Sequence, residues 1–296
     1  MPTINQEIQQ ALEAVEAGSF PRSGPGFAGR AEALDYLELH VLDRLEILGD
    51  PGSLPGDLEA LRALGLALQL GLEAAQARFI RRLRQRILAG RYSPQGLLRS
   101  LLRRQGRRGP VAGYGNLDLL TGALLAAEIP PELGLARGPE MVFYQPTPAR
   151  AILALLEATR LGPQDHLVDL GSGLGQVAIL AALLTEARAT GIELEPAYCD
   201  YARHSALGLG VGGVEFVQSD ARQAALDSGT VFFLYTPFTG ALLQAVLGRL
   251  QLQARTRSLR VCSYGPCTWV LASQPWLRFT GTAPLHEHEI AIFVSF

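Results

Sequence analysis

Residues 168–175 read Val168-Asp169-Leu170-Gly171-Ser172-Gly173-Leu174-Gly175. An apolar run ends on an acid, three alternating glycines follow, and an amphipathic helix is expected to open at Gln176. A glycine without Cβ adopts positive φ, or lets another group lie against its main chain, at little steric cost. The pattern therefore predicts a strand, a tight loop and a helix arranged so that backbone approaches a bound molecule closely.

Two ligand classes use such turns, dinucleotides and S-adenosylmethionine. The dinucleotide fingerprint G-x-G-x-x-G would place its third glycine where Gln176 stands, whereas this chain has G-x-G-x-G. Asp169, at the strand's end facing the loop, suits a cationic amino group or backbone N–H groups and does not suit a pyrophosphate. Glu193, twenty residues after Gly173, ends a second apolar run and is placed to accept hydrogen bonds from two ribose hydroxyls. Both ligand classes carry that ribose, so Glu193 alone does not separate them. A third run, Val214 to Val217, ends in Gln218-Ser219-Asp220, whose acid suits the exocyclic amine of an adenine. Three acids at three successive strand ends would line one crevice at the carboxyl edge of a parallel sheet, where such folds bind ligands.

Over roughly residues 140–296 the chain resembles class I S-adenosylmethionine-dependent methyltransferases. Within that class, Asp169-Leu170-Gly171-Ser172-Gly173-Leu174-Gly175-Gln176 with Gly191-Ile192-Glu193 is similar to the catalytic domain of the non-SET histone-lysine methyltransferases. The resemblance implies an α/β fold with a Rossmann-like seven-strand sheet, an antiparallel C-terminal hairpin, and S-adenosylmethionine as cofactor. It implies that Asp169 and the loop of Gly171, Ser172, Gly173, Gly175 and Gln176 hold the methionine part, Glu193 the ribose, and Ser219 with Asp220 the adenine. Tyr144-Gln145-Pro146-Thr147 corresponds to a segment that folds over the methionine end in related enzymes, which gives Thr147 a cofactor contact and Tyr144 a place at the acceptor slot. After the fourth strand the family has an acidic or Asn-centred motif, but this chain reads Leu234-Tyr235-Thr236-Pro237-Phe238. Tyr235 and Thr236 are expected to wall the acceptor slot. The same departure suits an alternative, a non-catalytic cofactor-sensing or nucleic-acid-binding protein that retains the pocket. An NAD-dependent oxidoreductase is disfavoured by Gln176 and by the terminal hairpin.

Patterning divides the chain in two. The first third reads helical: Leu34, Leu37, Val41, Leu45 and Leu48 form an amphipathic stripe stopped by Gly49. A long helix is expected from Leu58 to about Ala89, a short one from Ser93-Pro94 to Arg104, and one more from Asn116 to about Ala127. Residues 1–138 are assigned to a helical accessory domain and 139–296 to the methyltransferase domain, with Ile129-Pro130-Pro131 to Gly138-Pro139 as the linker. In the second part, strands near 166–170, 188–193, 214–218, 230–235 and 259–264 alternate with helices. Runs near 277–282 and 289–296 close the chain without an intervening helix.

Charge is uneven along the chain. Residues 1–77 carry 4 Arg and 12 acids, 78–110 carry 11 Arg and no acid, and 111–296 carry 11 Arg and 16 acids; lysine is absent. The arginines from Arg78 to Arg108 either pair with the N-terminal acids Glu32, Asp35, Glu38, Asp43 and Glu46 or present a polyanion-binding face. The preference is slightly for the internal reading. His286 and His288 alternate on an expected strand, but two ligands do not make a metal site, and no metal is expected. Three cysteines without C-x-x-C spacing and the absence of a leader-like segment suggest a reducing, cytoplasmic setting. The longest apolar stretch, Leu174 to Leu184, is too short to span a bilayer.

Overall fold

A computed structural model describes residues 3–18, 26–104, 115–125 and 140–296. The expected linker at 129–139, the end of the helix expected to reach Ala127, and Arg107 with Arg108 lie outside the described residues. The chain divides into two compact units, Met1–Gln85 and Arg86–Phe296.

In the first unit, α1 (Ile4–Glu16) opens on Thr3. The Thr3 hydroxyl accepts from the Gln6 N–H while the Gln6 side chain accepts from the Thr3 N–H, a capping box that satisfies two donors at once. Helix α2 (Phe27–Leu37) runs through a π turn at Glu38–Leu42 into α3 (Asp43–Leu48). The expected stripe passes through that turn at four-residue steps, so Leu37, Val41 and Leu45 are fully buried, while Leu48, one residue short of the next step, is 42% exposed. Helix α4 (Gly56–Leu88) adds Leu58, Leu61, Leu68 and Leu72 to the same core. Arg78, Arg81 and Arg82 are exposed on α4, and among the described residues neither Arg81 nor Arg82 forms an ion pair with any of the five acids named above. An ion pair in this unit joins Arg44 to Glu7 at 2.5 Å.

The second unit is built on a seven-stranded sheet. Its strands are β1 (His166–Leu170), β2 (Arg188–Glu193), β3 (Val214–Gln218), β4 (Val231–Leu234), β5 (Arg260–Ser263), β6 (Leu277–Phe279) and β7 (Ala291–Ser295), in the order β3-β2-β1-β4-β5-β7-β6. Strands β1 to β5 are parallel, and β7 runs antiparallel between β5 and β6. This is the Rossmann-like seven-strand sheet with its C-terminal antiparallel hairpin. Helices α5 (Pro94–Arg104), α6 (Asn116–Leu125), α7 (Ala149–Thr159), α8 (Gln176–Leu184), α9 (Pro196–Gly208), α10 (Gly240–Ala254) and α11 (Cys267–Ala272) complete the unit.

Helix α8 differs from the amphipathic expectation. Of its residues, Val177 to Ala181 and Leu183 to Leu184 are all buried, because the sheet covers one side and α5 and α7 pack on the other. A helix enclosed on all sides reads apolar all round. Core residues Phe232, Leu234, Val246, Leu247, Leu250 and Phe293 fill the opposite face of the sheet. The carboxyl ends of β1 to β5 and the segment entering β7 meet at one edge, since Ala291 is in register with Ser263 at the end of β5.

Candidate active site

At that edge lies a cleft of about 550 Å³. Tyr144, Thr147, Asp169, Gly171, Ser172, Gly173, Gln176, Glu193, Ser219, Asp220, Tyr235 and Thr236 all line it. Gly175 does not; at φ +79° it precedes α8 as its N-cap.

The loop after β1 needs all three glycines for a measurable reason. Their φ values are +79°, +52° and +79°, in the region that favours glycine. A Cβ on Gly171 would lie 2.3 Å from Pro237 Cβ, one on Gly173 2.4 Å from the Tyr144 ring, and one on Gly175 2.6 Å from the Phe216 ring. The loop is tied to β2: the Gly171 and Ser172 N–H groups donate to the Ile192 carbonyl at 2.9 and 3.0 Å.

Glu193 extends this tie. Its Oε2 accepts from the Gly173 N–H at 2.8 Å, and its Oε1 accepts from the N–H groups of Leu194 and Glu195 at 2.8 and 2.9 Å. A carboxylate offers about four lone-pair sites, so three backbone bonds fix its orientation and leave capacity for a ribose hydroxyl. Glu193→Ala is expected to weaken S-adenosylhomocysteine binding at least roughly tenfold while the chain stays folded, because hydrogen bonds to a charged group are worth about 1.5–3 kcal/mol each. Calorimetry checks this, and unchanged affinity would remove the assignment.

Asp169 is 3% exposed, and its carboxylate has no hydrogen-bond or cationic partner among the described residues. Burial, with the nearby Glu193 charge adding to it, pushes this carboxyl up to about 8. A buried acid without a counter-ion beside a glycine cradle fits a ligand that brings its own positive charge. Asp220 is engaged differently from the expected free acceptor. Arg222 donates to it from Nε at 3.0 and 3.1 Å, from Nη2 at 2.6 Å and from its own N–H at 2.8 Å. Those bonds hold the Asp220 carboxyl below the usual range. Arg222 lines the cleft too, a residue that the sequence pattern did not single out.

Beyond the glycine loop, β4 and β5 carry the far wall. Thr236 has φ +39°, unusual for a non-glycine residue. Its hydroxyl donates to the Tyr264 carbonyl at 3.4 Å and accepts from the Cys267 N–H at 3.1 Å, so it holds the turn together. The Tyr235 and Tyr264 rings meet edge-on with centroids 5.0 Å apart, and Tyr144 packs on Tyr198 at 5.2 Å. Tyr144 sits on a strap, residues 140–148, anchored at its start by Glu140. That carboxylate accepts from the Ala241 and Leu242 N–H groups at 2.9 and 2.8 Å, bonds that keep it below the usual carboxylate range. The Val142 N–H donates to the Pro237 carbonyl at 3.3 Å, joining strap to wall.

His286 and His288 lie in the segment before β7, outside the strand expected for them, because pairing with β5 and β6 begins only at Ala291 and with Thr280. Their rings are 5.4 Å apart and His288 lines the cleft. No group of three His, Cys, Asp or Glu side chains able to hold a metal occurs among the described residues.

The family model described as "Histone methylation protein DOT1" matches residues 141–210. A Caenorhabditis elegans protein named "Histone-lysine N-methyltransferase, H3 lysine-79 specific" is 29% identical over 106 residues, which are 31% of this chain and 11% of its own length. The chain thus spans a small part of that relative. Among solved structures, an RNA methyltransferase from Salinibacter ruber in complex with S-adenosyl-L-homocysteine shares 28% identity, covering 51% of this chain and 92% of that one with a TM-score of 0.42. A SAM-dependent methyltransferase from Geobacter sulfurreducens, in complex with the same product, shares 24% identity over 46% of this chain and 51% of that one, with a TM-score of 0.32. The glycine loop of G-x-G-x-G spacing lies on a Rossmann-like sheet of this strand order, and the family match runs across that loop, so over residues 141–210 the chain is similar to histone methylation proteins.

Proposed function

We propose that the acceptor is an sp³ amine on a protein, a lysine side chain. The observation that carries this reading is Thr236. Methyltransferase sites with an amide-bearing Asn-Pro-Pro-type motif after β4 can hold a planar nitrogen, whereas here the Thr236 hydroxyl is committed to Tyr264 and Cys267 and the slot is walled by Tyr144, Tyr235 and Tyr264. Aromatic walls suit a slender aliphatic chain that arrives as a cation, gives its proton to solvent and then attacks the methyl as a neutral amine.

S-adenosylmethionine, when bound, supplies a methyl group on a positively charged sulfur for in-line transfer. The chain's part is to align and to exclude water. Asp169 would hold the cofactor's ammonium, Glu193 its ribose, and Asp220, oriented by Arg222, its adenine, with Ser219 and Thr147 beside them. Tyr144, Tyr235 and Thr236 would shape the acceptor's path. Alignment of reactants of this kind is worth about 7–11 kcal/mol of barrier.

The test is transfer of labelled methyl to free histone H3, to poly-lysine and to total RNA. Label on lysine in the protein supports the reading, and label confined to RNA overturns it. Tyr235→Ala is expected to lower turnover far more than S-adenosylhomocysteine affinity. Equal losses in both would make Tyr235 part of the cofactor pocket. No transfer to any acceptor, with the product still bound, would favour a non-catalytic cofactor sensor.

A second reading, an acceptor associated with nucleic acid, is favoured by the exposed Arg78, Arg81 and Arg82. If these three engage phosphates, log K for duplex binding falls against log salt with a slope of about −2.7, from roughly −0.9 per phosphate. A slope near zero removes this reading. A reducing, cytoplasmic setting is proposed on Cys199, Cys262 and Cys267, all free and buried.

A further inference from the structure

The strap and the glycine loop both end in helices that begin without a side-chain cap. Helix α7 follows Pro148, and α8 follows Gly175; neither residue carries a side-chain acceptor. First-turn N–H groups of a helix have no partner within it, and one left unmade in a partly buried place is costly. For α7 the acceptor comes from another helix. Asp118 of α6 accepts from the Ala149 N–H through Oδ1 at 2.6 Å, and through Oδ2 it accepts from the Gly115 N–H at 2.7 Å, closing the first turn of its own helix. A carboxylate at this position also meets the positive end of α7.

One turn further along α6, and on the same face, stands Thr121. It is fully buried. Its hydroxyl donates to the Leu117 carbonyl at 3.0 Å and accepts from Gln176 Nε2 at 3.3 Å. Gln176 opens α8 directly behind the glycine loop and lines the cleft, as do Thr147 and Pro148 at the end of the strap. A single turn of α6 thus bonds both segments that close over the methionine end. This helix lies outside residues 141–210, the stretch matched by the family model.

We infer that α6 belongs to the cofactor site, with Asp118 and Thr121 as positioning residues: Asp118 fixes where the strap ends, and Thr121 fixes Gln176 behind the loop. The inference rests on the reading that the cleft binds S-adenosylmethionine. Neither residue lines the cleft itself. Their effect passes through Ala149 and Gln176.

The experiment is calorimetric titration of the full chain with S-adenosylhomocysteine, alongside thermal melting. Thr121→Val keeps the shape and removes the hydroxyl, and it is expected to weaken binding about 3- to 10-fold, the value of one neutral hydrogen bond. Thr121→Ser, which keeps the hydroxyl, is expected to bind like the parent. Asp118→Asn is expected to weaken binding about tenfold. Leu124→Ala is the control, a cavity on the same helix at a residue 1% exposed; it should lower the melting temperature and leave affinity unchanged well below it. The inference falls if Thr121→Val and Asp118→Asn bind like the parent, if Thr121→Ser fails to restore affinity, or if Leu124→Ala loses affinity in the same proportion. Failure of the unmodified chain to bind overturns the cofactor reading itself and this inference with it.

Discussion

Gly173→Ala is expected to abolish measurable S-adenosylhomocysteine binding. Three demands converge on this residue. Its φ of +52° costs a side-chain-bearing residue about 1–2 kcal/mol. Its Cβ would lie 2.4 and 2.6 Å from two atoms of the Tyr144 ring, and relieving such overpacking costs about 1–3 kcal/mol more or displaces Tyr144 from the loop. Its N–H is also the donor that orients Glu193 Oε2. The first two costs together correspond to about thirtyfold to a few thousandfold in affinity, by roughly 1.4 kcal/mol per factor of ten, and disturbing the bond to Glu193 adds to them. The chain should still melt cooperatively, because the strain sits at the site's rim and not in the sheet. Gly212, with φ outside the restricted region and nothing within 4 Å of a built Cβ, is the matched control, and Gly212→Ala should bind normally. Retention of affinity in Gly173→Ala would mean that ligand does not depend on this loop.

Asp169→Asn should have an effect of similar size and a distinct signature in pH. In the free protein the carboxyl titrates at about 8 against an ordinary value of 3.8, so the folded chain holds a proton that the unfolded chain releases. Stability from this group is therefore fully present below the ordinary carboxylate range and is lost as pH rises through about 8. Asparagine cannot ionise. Asp169→Asn should thus melt higher than the parent above that pH and lose the parent's decline. Binding reverses the balance: a cationic ammonium requires the ionised carboxylate, so the parent should release protons on binding near pH 7 and bind more tightly as pH rises toward 8. The variant should bind about 10- to 150-fold more weakly, the loss of one charge-assisted hydrogen bond, with no such pH slope. An identical pH slope in Asp169→Asn would place the titrating group elsewhere.

The glycine spacing and the strand-end acids were legible because they depend on local backbone chemistry: close approach needs glycine, and a crevice at parallel strand ends collects the residues that follow each strand. The terminal hairpin was legible from two runs with no helix between them. Arg222 was not, because its role comes from a side chain folding back on Asp220 two positions earlier, a geometry that no periodicity announces. His288 was read as part of a strand. Its place in the cleft follows from β7 running antiparallel, which returns the segment before Ala291 to the carboxyl edge of β5. The arginines from Arg78 to Arg108 were left between internal pairing and a polyanion-binding face, because charge balance along a chain does not dictate which side chains meet. The apolar helix α8 had its amphipathic reading displaced by α5 and α7, whose packing depends on the tertiary fold.

The most direct measurement of the central claim is calorimetric titration of the unmodified chain with S-adenosylhomocysteine and, separately, with NAD, each in two buffers of different ionisation enthalpy near pH 7. Saturable one-to-one binding of S-adenosylhomocysteine, with protons released and no heat from NAD, is the expected result. Binding of NAD in preference, or no binding of S-adenosylhomocysteine, would contradict a cofactor cleft built on Asp169, Gly173 and Glu193.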